Sequence, residues 1–492
     1  MQLFHLETAW HFVSPSLLDI GMRSPMLRKW ALRKADKELF QHSQTMGQKE
    51  YPRKVSEMRY QIVSNLLHSI DRAIIDGRMN HEVQRSIIQT FIGSFVIEDK
   101  AQQLRFCEQH GFEPPSFLVI SPTKKCNLRC KGCYAGSSAQ NAETLSYSAL
   151  QQLIREKTEQ WGSHFTVLTG GEPFLYQSEG KDLFDLLRDN KDNYFMTYTN
   201  STLITREVAE KMAQLGNITP AISVEGWEKE TDARRGKGVF SKILQAMENL
   251  RAAGVPFGIS ATATRENAEI ILSDEFVDFF FKTQGAVYGW IFQYMPIGRS
   301  FTLDLMVTPE QRRWMVQKQM EMIYDQKLFY VDFWNGGPLT IGCISAGRPG
   351  GYFHIDWNGN IAPCVFFPYY LDNIYDLYRN QRNLTDVLES EYFRAIRFWQ
   401  RGYAYQRPPE KMNNLFTPCP YRDHYQSAYR IIERHGARPM DDNAAKAIKD
   451  GEYRRKMIAA DEQVGALLDP VWQREIIANG GDFGEESFRK AG

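Results

Sequence analysis

"FLVISPTKKCNLRCKGCYAG" (Phe117–Gly136) joins an apolar run to a loop carrying three cysteines, Cys126, Cys130 and Cys133. The run from Phe117 to Ser121 reads as a buried strand, and the loop begins where the strand stops. The same pattern recurs downstream. "FTVLTGG" (165–171), "YFMTYTN" (194–200), "ITPAISVEG" (218–226), "PFGISATAT" (256–264) and "VYGWIFQYMPIG" (287–298) read as further strands. Between them lie helical stretches, among them "LSYSALQQLIREKTEQW" (145–161), "REVAEKMAQLG" (206–216) and "EFVDFFFKTQG" (275–285). Parallel strands need crossover helices, so this alternation predicts a parallel sheet, doubly wound or closed toward a barrel. Both place ligands at the C-terminal ends of the strands, where the notable motifs sit.

The flanks read differently. Residues 1–115 read as a helical domain. In "RYQIVSNLLHSIDRAIIDG" Ile62, Leu66, Ile70, Ala73 and Ile74 share a face, and Asp76-Gly77 is a stop. Asn80 caps a next helix with Val83, Ile87, Phe91 and Phe95 on one stripe. "PMLRKWALRKADKELF" is a basic amphipathic helix: a peripheral membrane or acidic-partner face, or a solvated face over the core. After Ser300 the βα rhythm breaks, and "YFHIDWNGNIAPCVFF" reads as a hairpin turning at Asn358-Gly359. The last residues, 436–492, read as a polar helical tail.

Composition narrows the class. The 492 residues predict two or three domains, and 43% hydrophobic with 24% charged content is that of an ordinary globular chain. Lys plus Arg equals Asp plus Glu at 59 each, so no global field favours nucleic acid. Charge is uneven, with ten Lys/Arg against four Asp/Glu from Gly21 to Tyr60. No apolar run reaches the roughly 18 residues of a membrane span. The N-terminus lacks a secretory pattern, so a cytoplasmic location is expected. Seven cysteines in such a chain point to metal or catalysis before disulfides.

A structural zinc site takes four ligands, commonly from two paired knuckles. Cys126-x3-Cys130-x2-Cys133 supplies three from one loop. A four-iron cluster on three thiolates keeps one iron free for a small molecule. This motif after the first strand resembles the signature of the radical S-adenosylmethionine (SAM) superfamily. The resemblance implies a partial (β/α)6 TIM-type barrel and a [4Fe-4S] cluster whose open iron chelates SAM. It implies reductive cleavage of SAM to a 5′-deoxyadenosyl radical that abstracts a hydrogen atom from substrate, with a reductant such as flavodoxin or ferredoxin.

Other motifs are similar to the family's. "GGEP" places Gly170, Gly171, Glu172 and Pro173 at the end of the second strand. The resemblance implies that this turn holds the SAM amino group: glycines admit close backbone approach, and a carboxylate accepts from ammonium. Asn200 is implied at the ribose, Ser223 of "SVEG" near ribose and carboxylate, and Arg235 on the SAM carboxylate, with Arg234 as its neighbouring alternative. Glu225 stands where the family more usually has Asp. Ile297 of "MPIG" is implied beside adenine. Gly132 occupies the position where many relatives carry an aromatic.

Cys343, Cys364 and Cys419 form a second set. Cys343-x15-Gly359-x4-Cys364 resembles the opening of a SPASM or Twitch extension, which implies an auxiliary iron–sulfur cluster. With no C-x2-C-x5-C-x3-C run, one auxiliary cluster of three cysteines is expected, closer to the Twitch form. Its fourth iron is open or filled by Asp423 or His424, although His424 reads better as a surface residue and Cys107 as structural.

The expected architecture is thus an N-terminal helical domain (1–115), the partial barrel (116–305), a small α+β Twitch/SPASM-like domain (306–435) and the tail (436–492). The expected activity is radical modification of a peptide or protein. A lipid or other small-molecule substrate is the alternative. A zinc or iron–sulfur protein without SAM chemistry is the reading of a different class.

Overall fold

The computed structural model of the protein describes residues 24–45, 51–87, 90 and 99–478. Phe91 and Phe95, expected on the stripe after Asn80, lie outside the described residues. Among the described residues two long helices come first, α1 (Pro25–Thr45) and α2 (Arg53–Ile75). α2 stops at Asp76, followed by Gly77 at φ +67°. Asn80 then caps the short helix His81–Ser86 by accepting from Val83 N at 2.8 Å.

The expected parallel strands follow: β1 (Phe117–Ile120), β2 (Phe165–Leu168), β3 (Tyr194–Thr199), β4 (Ile218–Ser223), β5 (Gly258–Ala263) and β6 (Tyr288–Gln293). Each pairs in parallel with the next. The crossover helices begin and end where side chains allow. The one over Tyr147–Trp161 is capped by Ser146 accepting from Ala149 N and closed by Gly162 at φ +64°. The stretch 275–285 departs from a plain α-helix: a turn over Asp274–Val277 passes into a π-helix over Asp278–Thr283.

The rhythm continues one unit beyond Ser300. The helix Pro309–Tyr324, opened by a Thr308/Gln311 capping box, leads into a seventh parallel strand, β7 (Tyr330–Asp332), beside β6. Its apolar run "LFYV" (328–331) is as long as that of β1, so the reading that the rhythm breaks after Ser300 is corrected here.

The expected hairpin is present as β8 (His354–Ile355) and β9 (Asn360–Ala362), antiparallel. Its turn is held by Asp356, whose Oδ1 accepts from Asn358 N at 2.9 Å and Asn360 N at 2.8 Å, with Gly359 at φ +80°. The hairpin does not stand apart from the barrel. β8 pairs in parallel with β1, Val119 against His354, and β9 pairs with β10 (Asp372–Asn373). One ten-stranded sheet results, in the order β10-β9-β8-β1-β2-β3-β4-β5-β6-β7.

Both faces of this sheet are apolar, as parallel strands between two layers require. Leu118, Ile120, Leu168 and Phe195 pack outward on the helices, while Val119, Val167, Tyr194 and Met196 face inward. The inner cluster is continuous with Val55, Met58 and Ile62 of α2. α2 is pinned by Asn65 Nδ2 donating to Ile323 O at 2.9 Å and by Ser69 Oγ donating to Val287 O at 2.7 Å.

Candidate cofactor site

The cysteine loop is held from three directions. Its own chain returns, with Cys126 N donating to Ser138 O at 3.1 Å. From the end of β2, Thr169 Oγ1 shares a 2.6 Å hydrogen bond with Tyr134 Oη, which also accepts from Gly170 N at 3.2 Å. From beyond β6, Arg299 donates its backbone N to Cys133 O at 2.9 Å and its Nε to Cys130 O at 3.0 Å. Gly298 makes this approach possible: a Cβ there would lie 1.9 Å from Tyr134 O. The segment after β6 therefore anchors the loop.

The glycine pair after β2 lies against the same loop. Gly171 N donates to Thr123 O at 2.9 Å and Glu172 N to Lys125 O at 2.8 Å. A Cβ on Gly171 would sit 2.2 Å from Lys125 O, and Gly170 holds φ +109°. Glu172 is fully buried. It accepts from Thr199 Oγ1 at 2.7 Å, Asn200 N at 2.9 Å and Phe174 N at 3.3 Å, and burial pushes its carboxyl up to about 7. Its oxygens thus clasp the end of β3, whereas Gly170 and Gly171 line the central cavity. Pro173 is buried at the start of a short helical turn.

Asn200 lines the cavity with Nδ2 3.8 Å from Cys126 Sγ. Ser223 lines it too. Glu225, read as uncertain from the sequence, is buried and paired with both arginines: Arg234 Nη1 lies 2.5 Å from Oε1 and Arg235 Nε 2.9 Å from the same atom. Arg235, expected free for a carboxylate ligand, is bound on that side. Its Nη1 faces the loop, 4.0 Å from Cys130 Sγ.

Ile297, expected beside adenine, is packed in the core, and Met295 lines the cavity instead. An aromatic ring does approach Gly132, the position where many relatives carry one. Tyr294 lies over Gly132, its Cε2 2.7 Å from where a Cβ would be.

The second cysteine set converges on the same cavity, of about 660 Å³: Cys343, Cys364 and Cys419 line it together with Cys126, Cys130 and Cys133. Cys343 Sγ is 3.2 Å from Ser345 Oγ, Cys364 Sγ is 2.9 Å from Tyr352 Oη, and Cys419 Sγ accepts from Arg422 N at 3.4 Å. Two expected fourth ligands are already committed. Asp423 forms a buried ion pair with Arg312 and accepts from Cys419 N at 3.0 Å. His424 is no surface residue: its Nε2 is 2.9 Å from Thr417 O and its ring packs 4.7 Å from that of Tyr403. Cys107 sits half-buried on the helix Asp99–His110, away from the cavity.

These residues fit iron–sulfur clusters. All six thiols are unpaired. Burial pushes Cys126 and Cys364 up to about 12, and raises Cys130 and Cys419, so bare thiolates are costly there. A bound metal removes that cost, because its charge deprotonates a ligating thiol outright. Donors to a single zinc converge to about 2.3 Å. Among the described residues no three or more Cys, His, Asp or Glu are placed to hold one ion.

Sequence reasoning missed Gln293 and Asp332, which face each other across the end of β6 and β7. Gln293 Nε2 donates to Asp332 Oδ2 at 2.9 Å, and Gln293 Oε1 is buried without a partner. Both line the cavity, and burial raises the Asp332 carboxyl. The available signals were a Gln at the C-terminal end of the sixth strand and an Asp closing the apolar run Leu328–Val331.

Comparison with known proteins gives concordant results. The family model for the radical SAM superfamily matches residues 120–271, and an iron–sulfur cluster-binding domain, SPASM, matches residues 343–414. The chain is 30% identical over 269 residues to mycofactocin maturase MftC of Mycolicibacterium smegmatis, covering 52% of this chain and 66% of that protein. It is 26% identical over 337 residues to an AdoMet-dependent heme synthase of Methanosarcina barkeri, covering 63% and 89%. Among solved structures, Streptococcus suis SuiB bound to precursor peptide SuiA matches with 18% identity and a TM-score of 0.48, over 60% of this chain and 69% of that one. The matched stretch thus falls just short of two thirds of the maturase.

Proposed function

We propose that this chain, matched by the radical SAM model over residues 120–271 and by the SPASM model over residues 343–414, is a radical SAM enzyme that abstracts a hydrogen atom from a substrate held inside its barrel. The radical SAM domain implies a [4Fe-4S] cluster that binds SAM, and the SPASM domain implies auxiliary iron–sulfur binding. When bound, the cluster and SAM supply one-electron cleavage of SAM and the hydrogen-abstracting 5′-deoxyadenosyl group.

The observation that carries this reading is that the two cysteine sets, more than two hundred residues apart in sequence, line one cavity. In the proposal, Cys126, Cys130 and Cys133 hold the first cluster, and Cys343, Cys364 and Cys419 hold an auxiliary one. Asn200 Nδ2 and Arg235 Nη1 stand beside the sulfurs of Cys126 and Cys130, where donors offset thiolate charge. Gly170 and Gly171 let the strand-end turn close against the loop at the rim of the cavity, and Ser223 lines that cavity as well. The barrel wall excludes water from the reacting group.

Peptide or protein modification is supported by the similarity to a maturase. A small apolar substrate is supported by the cavity, whose wall below the cysteines is almost wholly hydrocarbon and aromatic. The reaction is tested by reconstituting the protein with iron and sulfide and adding SAM and reductant. Formation of 5′-deoxyadenosine, abolished in Cys130→Ala, is expected; its retention in that variant would overturn the assignment.

A further inference from the structure

The cavity does not end at the thiols. It continues down the barrel past Tyr198, Trp290 and Phe292, then past Phe165, Tyr194 and Val287 at the N-terminal ends of the strands. It reaches α2 at Leu66, Ile70 and Ile74, and α1 at Ala31, Leu32 and Ala35. A six-residue strand spans about 20 Å. The passage is therefore long as well as apolar. Barrel interiors of this class are ordinarily filled by side chains, so an open channel through one calls for an occupant.

Its two ends differ. At the cysteine end, Gln293 is 1% exposed, lines the cavity and has Oε1 unpartnered, which suits a donor on an entering molecule. At the other end, α1 carries Met26, Leu27 and Trp30 at 81%, 49% and 61% exposure. The same helix has five Lys/Arg against two Asp/Glu, and Lys34 Nζ stands 5.4 Å over the Trp30 ring. Exposed Trp and aliphatic side chains among lysines and arginines are the composition of a helix lying in the interface of an anionic bilayer.

We propose that the substrate is a lipid with a long hydrocarbon chain, drawn from an anionic membrane surface between α1 and α2, its chain along the barrel and its polar end at Gln293. This rests on the reading of the cysteine sites given above but makes a separate claim about binding. A folded peptide strand would need backbone partners along the channel, and the wall provides few; a hydrocarbon chain needs none.

The test uses the whole 492-residue chain without reconstitution. Displacement of the fluorescent probe N-phenyl-1-naphthylamine should be at least about tenfold tighter for a sixteen-carbon than for an eight-carbon primary alcohol, whose hydroxyl can donate to Gln293 Oε1, since each added methylene buries more apolar surface. Ala35→Trp should weaken binding about tenfold while leaving the circular dichroism spectrum unchanged. Ile74→Trp is the second obstruction, should the first fail to fold. Co-sedimentation with vesicles containing phosphatidylglycerol, absent with phosphatidylcholine alone, should be lost in a Lys29→Glu/Arg33→Glu double variant. Binding without chain-length dependence, or no preference for anionic vesicles, overturns the proposal, as does displacement of the probe by a peptide alone. If the reconstituted protein makes 5′-deoxyadenosine but binds no acyl chain, this inference fails by itself. If it binds the chain but never cleaves SAM, the proposed reaction fails instead.

Discussion

Arg235 is held to Glu225, Nε to Oε1 at 2.9 Å, while its Nη1 stands 4.0 Å from the sulfur of Cys130. A single carboxylate thus sets the position of the guanidinium that faces the cysteine loop. Arg234 shares the same oxygen, and Thr262 N donates to Oε2 at 3.1 Å. Glu225→Gln leaves two half-buried cations without their counter-charge. Breaking a buried pair this way costs about 3–5 kcal/mol. The variant should show a fall in melting temperature and at least about tenfold weaker SAM binding by titration. Glu225→Asp should recover part of both.

Gly171→Ala tests the contact between the strand-end turn and the loop. Its Cβ would meet Lys125 O at 2.2 Å and Lys124 O at 2.6 Å, both backbone atoms that cannot rotate away. The loop must shift, and the three thiols with it. The variant should fold with reduced stability and assemble less iron at the first site, read by iron content per chain. Normal iron content would show that the glycine is dispensable there.

The two cysteine sets should be separable. Cys130→Ala should lose the iron of one cluster, about four atoms per chain, together with all 5′-deoxyadenosine formation. Cys364→Ala should also lose iron but retain SAM cleavage in the absence of substrate, because its sulfur contacts Tyr352 and Phe366 and none of the residues near Asn200 or Arg235. Loss of cleavage in both variants would show one cooperative assembly.

Asp461 should make stability fall with rising pH, in the same direction as Glu172, whose carboxyl is pushed up to about 7. Asp461, on the helix Gly451–Trp472, accepts from Tyr425 N at 2.7 Å, while Oδ1 is buried without a partner. Burial pushes its carboxyl from 3.8 up to about 8. Between those values the folded chain holds a proton that the unfolded chain has released. Stability contributed by this group therefore declines as pH rises from about 4 to about 8 and levels off above. Asp461→Asn should flatten that part of the profile, measured as the change in melting temperature between pH 5 and pH 8.

The legible part of the molecule was local. Residues from Phe117 to Gly298 announced six strands and their helices through runs of apolar side chains, and the hairpin at Asn358-Gly359 through its turn residues. β7 escaped although "LFYV" (328–331) is as long an apolar run as that of β1; its place in the sheet is given by its pairing with β6. The ring over Gly132 escaped because Tyr294 is far away in sequence and is delivered there by the end of β6. His424 read as exposed because nothing near it announces that Tyr403 will cover its ring.

Cysteine spacing within an eight-residue loop is a covalent fact, and the thiols Cys126, Cys130 and Cys133 needed no fold to declare their chemistry. Turn glycines and alternating apolar runs are equally short-range, and for the same reason they survive reading without coordinates. Whether Cys343, Cys364 and Cys419 share a chamber with that loop depended on β8 pairing beside β1, a contact spanning more than two hundred residues. The committed states of Asp423, Glu172 and Arg235 were set by Arg312, by Thr199 and Asn200, and by Glu225. Burial and ion pairing are properties of neighbours in space, and the hydrocarbon channel from the thiols to α1 exists only once the sheet has curved around it.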